Sequence, residues 1–417
     1  MLIKQRKTCR VCGSTDLIPI LSLGEQFVIN FVDDPEKEYP KGPLDLVLCN
    51  VKDGGCGLLQ LKHTMERDVM YRRYWYRSGI STTMVKALVD VAQAVERVAC
   101  LSCGDIVVDI GANDGTLLRQ YKTPRLVTVG FEPSNLWKLA SKGTSKIIND
   151  YFNYASFRKE FGSKKAKAIT SIAMFYDLED PNSFVKDIKK CLDKNGVWII
   201  QMNYLGLMIE NNTFDNICHE HLEYYSLLSL ENLLKRHGME AFDVELNDVN
   251  GGSFRIYVRK QGASVKGFAG AEQRLEIQKA YEKKMGFDDK KIYSKFAKRI
   301  EKNKKAVMAF LQQQVNAGKK IFIYGASTRG LVVLQYFGID NKLISGAADM
   351  NSDKWVKYIV GTHIPILSIE DYHKHKPDFL LVLPYHFLDE IRAQEKEFLR
   401  NGGKMIVAIP DFKILDK

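Results

Sequence analysis

A chain of 417 residues exceeds the span of one hydrophobic core, so two or three domains are expected. Hydrophobic residues at 45% and charged residues at 27%, with no low-complexity or proline-rich tract, exclude a disordered or fibrous protein. No window reaches the roughly 18 apolar residues of a membrane span and MLIKQRKTCR lacks a secretory apolar core, so the cytoplasm is expected; the net charge of +11 suits an anionic partner, but many lysines gather in an exposed-looking helical stretch, Lys260 to Lys320, and nucleic acid is not expected.

The first block, to about residue 75, is rich in cysteine and turn residues. Cytosolic cysteines stay reduced, so close pairs read as metal ligands. Cys9 and Cys12 form a C-x2-C knuckle and Cys49 with Cys56 supplies a second pair. Four thiolates close a tetrahedral zinc site with no open position, so the expected zinc is structural. Cys100 and Cys103 form another C-x2-C, but ACLSCGD falls at a helix end before a strand and reads as structural.

From about 80 to 260, apolar runs at Ile106 to Ile110, Leu126 to Phe131, Ala168 to Ile172, Val197 to Met202 and Ser253 to Val258 alternate with helix-length segments, which predicts a parallel α/β sheet. In VVDIGANDGTLL, Gly111 and Gly115 allow a tight turn with little bulk beside a ligand, and a helix start should follow. Glu132 ends the next run, where a carboxylate can accept both hydroxyls of a ribose. The Gly-x-Asn-x-Gly spacing resembles the first motif of class I methyltransferases, which bind S-adenosylmethionine. The candidate cofactor residues there are Asp109, Gly111, Asn113, Asp114, Gly115 and Glu132. Asn149, Asp150, Tyr151 and Phe152 lie where that fold meets adenine, and Ala173 and Met174 should approach the methyl-bearing sulfur.

The densest chemical cluster is FDNICHEHLEYY, holding Cys218, His219, Glu220, His221, Glu223, Tyr224 and Tyr225. Adjacent residues of a strand or helix point different ways, so one ion would not collect all of HEH. One histidine as general base, tuned by Glu220, is the better reading. A long helix follows, with Ile292, Phe296, Ile300, Val307, Phe310, Leu311 and Val315 at helical spacing. KIFIYGASTRG, LISGAADMN, DFLLVLPYH and KMIVAIPD then restart the strand-and-turn pattern, which predicts a second Rossmann-like domain. The expected segments are 1–75, zinc-binding; 76–260, a class I methyltransferase Rossmann-like α/β domain; 261–318, a helical connector; and 319–417, a Rossmann-like α/β domain.

CRVCG, DIGANDG, HEH, NGGSFRIYV, GASTRGLVVLQYFGID and GGKMIVAIP, in this order, resemble the three-part sugar C-methyltransferases, which act on nucleotide-linked 4-keto-deoxysugars. The resemblance covers nearly all of the chain. It implies that Tyr76 of the amino-terminal part reaches the active site and that the last domain holds the nucleotide diphosphate through Ser327, Thr328 and Arg329, with Tyr385 and His386 on the same face. It also implies a base, here His221 beside Glu220, that removes the proton next to the ketone, so that the enolate attacks the methyl group. Members that methylate carbon usually carry a tyrosine just before HEH; this chain has Cys218, so Tyr224, Tyr76 or His219 must take over, or the substrate differs. Gln201 stands where related sequences often have an acid. Two alternatives follow, a sugar O-methyltransferase and a non-catalytic nucleotide- or RNA-binding protein. An NAD-dependent enzyme is disfavoured because GASTRG lacks the full glycine set.

Overall fold

The computed structural model describes residues 3–416; residues 1–2 and 417, the outer ends of the first and last expected segments, lie outside it. In the amino-terminal part, β1 (Leu17–Phe27), β2 (Phe31–Val32), β3 (Lys41–Cys49) and β4 (Leu59–Leu61) follow one another. β1, β3 and β4 pair antiparallel, and β2 leaves for another sheet. Helix α1 (Thr82–Ala99) is capped by the Ser81 hydroxyl, which accepts the Met84 N–H at 3.2 Å, and buries Leu88, Val91, Val95 and Val98 along one stripe. It ends at Cys100 in the left-handed conformation, which leaves Cys100 and Cys103 exposed.

The central sheet contains β5 (Ile106–Ile110), β6 (Val127–Phe131), β7 (Lys146–Ile148), β8 (Ala166–Ile172) and β9 (Leu192–Asn203), all parallel. Strand β10 (Glu223–Tyr224) leaves to pair with β4. The hairpin β11 (Met239–Asn247) and β12 (Ser253–Lys260) then adds two antiparallel strands, in the order β11-β12-β9-β8-β5-β6-β7. The sheet is therefore mixed where alternation alone predicted a parallel one. Five residues between β11 and β12 suffice for an antiparallel return but not for a crossover. The helix expected after Gly115 is only a 3-10 turn, Leu118–Gln120, since Pro124 and the start of β6 leave little chain for more.

Helices α2 (Ala271–Met285) and α3 (Lys290–Asn316) occupy the expected connector. α2 packs on the central domain: Arg274 pairs with the buried Asp243 at 2.7 Å, and Glu282 accepts the N–H groups of Leu227 and Leu228. α3 buries Tyr293, Phe296, Ile300, Val307 and Leu311 and keeps most of its lysines in solvent. Its Lys304 donates to the Tyr336 carbonyl at 2.6 Å, which ties it to the last domain.

That domain is the second Rossmann-like unit. Strands β13 (Ile321–Tyr324) and β14 (Gly346–Ala348) are followed by β15 (Tyr358–Ile359), β16 (Ile364–Leu367), β17 (Phe379–Val382), β18 (Lys404–Val407) and β19 (Lys413–Leu415). The order is β19-β18-β17-β13-β14-β16-β15-β2, so the amino-terminal β2 completes this sheet. The carboxyl ends of β5, β6, β8 and β9 and those of β13, β14 and β17 all open onto one cavity, roofed by residues 64–81. Its volume of about 1230 Å³ exceeds the roughly 300 to 1,000 Å³ of a single small-ligand pocket, so two ligands fit side by side.

Candidate functional site

The four cysteines of the amino-terminal part converge. Gly13, at φ 77°, closes the first knuckle by donating its N–H to the Cys9 carbonyl, and the 3-10 turn Lys52–Gly54 brings Cys56 back to Cys49. The Cys9 and Cys56 sulfurs lie 3.5 Å apart, those of Cys12 and Cys49 lie 3.4 Å apart, and all four fall within 4.8 Å. A tetrahedron with Zn–S arms of about 2.3 Å has edges of about 3.8 Å, so the donor set fits zinc and leaves no open corner. Hydrogen bonds from Cys49 and Cys56 hold the Cys9 thiol down at about 2, whereas Cys49 and Cys9 push Cys56 far up. A dication is what allows four clustered thiolates to ionise together. Cys9→Ser and Cys56→Ser should each bring zinc well below one equivalent per chain and expose this module to protease; full zinc in both variants, read by elemental mass spectrometry, would refute the assignment.

In the cofactor loop, Gly115 has φ 79°, and a Cβ there would stand 2.8 Å from the Ala140 carbonyl oxygen, so only glycine fits. Glu132, at the end of β6, accepts the Asn113 N–H at 2.6 Å with one oxygen and the Ser134 N–H at 2.9 Å with the other. Each oxygen keeps a second lone pair for a ribose hydroxyl. Asp109, Gly111, Asn113, Glu132, Asp150, Tyr151, Phe152 and Met174 line the cavity, and Met174 lies against Gly111. Asp114, Gly115 and Asn149 do not: Asp114 accepts the Gly79 N–H at 2.8 Å, and the Asn149 amide donates to the Glu132 carbonyl at 2.8 Å. These three shape the loop from behind.

Burial pushes the Asp109 carboxyl up to about 7, against the Thr170 hydroxyl that donates to it at 2.6 Å. A carboxyl raised on folding contributes stability that is full below its unfolded value near 4 and is lost as pH rises through about 7. Asp109→Asn, whose amide oxygen can still accept from Thr170, should flatten the fall in melting temperature between pH 5 and pH 8; an unchanged slope would show that Asp109 does not carry it.

Residues 214–222 form a 3-10 turn and loop, neither strand nor helix, and the three residues of HEH do not converge as a set. His219 turns away, its Nε2 meeting the Gln26 carbonyl at 3.2 Å. Cys218, Glu220 and His221 instead point together, with ligand atoms within 4.8 Å. The His221 Nδ1 lies 2.8 Å from the Asn216 carbonyl. A carbonyl only accepts, so the proton sits on Nδ1 and Nε2 carries the lone pair. Burial and the nearby Arg329 charge bring His221 down to about 3, keeping the ring neutral, and burial lifts Glu220 to about 7.

The Tyr176 ring stands 4.3 Å from the His221 ring, and Tyr76, Tyr176, Asp177, Glu220 and His221 share the cavity wall. Cys218 lies behind that wall, and Tyr224 is withdrawn because its hydroxyl donates to the His221 carbonyl at 3.0 Å. Tyr176 and Asp177 belong to the segment Ile172–Asp177 that follows β8 and is expected near the methyl-bearing sulfur, though neither is singled out by the sequence. Asn216 acts through its backbone, which leaves no trace in the sequence.

Ser327, Thr328, Arg329 and His386 also line the cavity. Ser327 caps the helix after β13, accepting the Gly330 N–H at 3.0 Å, and Thr328 accepts from the Asn30 amide at 3.1 Å. Arg329, expected on phosphate, spends its guanidinium on the protein. Its Nε donates to Asp215 at 2.8 Å, Nη1 to the Asn250 carbonyl at 2.7 Å and Nη2 to the Tyr385 hydroxyl at 2.8 Å. Asp215 is buried and needs a cation, which is why Arg329 turns inward and Tyr385 with it. Arg329 thereby braces the turn whose next residue, Asn216, fixes the His221 tautomer.

Three family profiles cover this architecture: a zinc binding domain over residues 9–71, a methyltransferase domain over 87–244 and a C-methyltransferase C-terminal domain over 248–410. C-methyltransferase NovU of Streptomyces niveus is 30% identical over 423 residues, covering 99% of this chain and 98% of its own. A tRNA U34 carboxymethyltransferase of Sulfurimonas denitrificans is 30% identical but covers only 33% of this chain and 49% of its own. Among solved structures, the plantazolicin methyltransferase BpumL in complex with SAH matches 43% of this chain and 84% of its own at 14% identity and a TM-score of 0.35. No helix among the described residues is long and apolar enough to cross a membrane. With matching segments in matching order from end to end, the chain belongs to the three-domain C-methyltransferase family and is an S-adenosylmethionine-dependent methyltransferase.

Proposed function

We propose that the protein methylates a carbon of a nucleotide-diphosphate keto-deoxysugar in the cytoplasm, for a surface glycan or a glycosylated metabolite. The observation that carries this reading is the shared cavity: the carboxyl ends of two Rossmann-like sheets face one space, with His221 between them. NovU is by name a C-methyltransferase, which favours carbon as the acceptor.

S-adenosylmethionine supplies an electrophilic methyl group. The residues that hold it are Gly111, Asn113, Glu132 and the wall of Asp150, Tyr151, Phe152 and Met174, with Asp109, Asp114, Gly115 and Asn149 shaping that loop. Ser327, Thr328 and His386 of residues 319–417 face the nucleotide diphosphate, and residues 1–75 cover the site and bring Tyr76 to it. A proton on the carbon beside a ketone is acidic because the carbonyl takes up the charge. His221 Nε2 is placed to remove it and Glu220 to support the imidazolium that forms, which would leave the carbon nucleophilic toward the methyl group that the cofactor would supply. Tyr76 or Tyr176 donates to the enolate oxygen in place of the phenol absent at Cys218.

Incubation with S-adenosylmethionine and dTDP-, GDP- and CDP-linked keto sugars should add one methyl group, placed on carbon by NMR. Substrate alone should exchange a carbon-bound proton in deuterated water. A methoxy product without exchange would establish the O-methyl reading, which the missing phenol at Cys218 favours.

A further inference from the structure

His221 and Glu220 face the cavity, and Cys218 closes on them from behind. A thiol, a carboxylate and an imidazole with ligand atoms within 4.8 Å are a donor mix that zinc-class ions accept. The imidazole is already oriented as in metal sites: its Nδ1 proton is held by the Asn216 carbonyl, so the Nε2 lone pair is free to bind. Three protein ligands with a fourth side on a cavity is the open form of a zinc site, unlike the closed four-thiolate cluster. Among the described residues no Lys or Arg pairs with Glu220 or with Asp177, whose Oδ1 is buried without a hydrogen-bond partner beside the same wall. The wall is thus rich in acceptors, and the nearby Arg329 is engaged with Asp215 and not with Glu220 or Asp177.

We propose that Cys218, Glu220 and His221 form a second, open site for a divalent zinc-class cation, distinct from the four-cysteine site. The ion occupies the Nε2 lone pair that takes up the substrate proton, so metal and proton abstraction exclude one another. This last consequence rests on the function proposed above; the binding itself does not. The soft donor is the decisive one. With Ser at 218, the remaining carboxylate and imidazole offer a much weaker site.

The full-length protein, its four-cysteine site loaded with zinc, is titrated with Co²⁺ while thiolate-to-cobalt absorption in the near ultraviolet is followed, and metal content is measured after desalting. One further equivalent is expected, with that absorption. Cys218→Ser and His221→Asn should retain the first metal, which reports folding, and bind the second at least tenfold more weakly. No second equivalent in the wild type, or a second equivalent that persists in both variants, would overturn the proposal. Calorimetry with S-adenosylmethionine on the same samples tests the methyltransferase reading separately, since cofactor binding requires neither side chain.

Discussion

His221→Asn is expected to lower methyl transfer by roughly a hundred- to ten-thousand-fold, the contribution of a well-placed general base. Asparagine is similar in reach and can still donate to the Asn216 carbonyl, so the turn should keep its shape while losing the lone pair that Nε2 presents. Proton exchange of substrate into deuterated water should fall with the transfer rate, because both need the same abstraction. Cofactor affinity should stay within a few-fold, since the hydrogen bonds that shape the loop around Gly111 and Glu132 run to Phe131, Asn113 and Ser134 and not to His221. Wild-type exchange in His221→Asn would remove this residue from the base role and turn attention to Asp177 on the same wall.

The second large effect is expected at Arg329. Arg329→Leu leaves Asp215 buried without its cation, a loss of about 3 to 5 kcal/mol when one member of a buried pair is removed. Denaturant midpoints should fall accordingly. Arg329→Lys should recover part of the stability but little of the activity, because a single ammonium cannot reach Asp215, the Asn250 carbonyl and Tyr385 in one geometry. Activity should drop chiefly in kcat, as the turn that sets the His221 tautomer loosens. If Arg329 served phosphate instead, Arg329→Leu would raise KM for the nucleotide sugar and leave stability nearly unchanged.

Much of the site was legible because its chemistry is local. The loop from Asp109 to Gly115 carries its turn in its glycines, and the first knuckle carries its spacing in two cysteines. β7 escaped notice because three residues are too short for a pattern, and β11 because MEAFDVELN places charges among its apolar residues. The partners of Arg329 and Tyr224 were hidden for a different reason. Arg329 meets Asp215 from a segment far away in the chain, and Tyr224 meets a backbone carbonyl three residues back, which no side-chain pattern marks. A polar side chain in a motif reads alike whether it serves a ligand or its own scaffold; burial and partner count decide.

The exchange of strands between segments bears on how the protein can be made. β2 is synthesised among the first 32 residues, yet its partner β15 begins at Tyr358, and the amino-terminal sheet itself waits for β10 at Glu223. During translation the zinc module emerges with β2 unpaired and with one edge of β4 open, and β2 remains so until most of the chain has left the ribosome. Such long-range pairing slows folding and leaves open strand edges that invite association with other chains. Truncation at residue 260 would make that state permanent, so the isolated front half should aggregate where the whole chain stays dispersed.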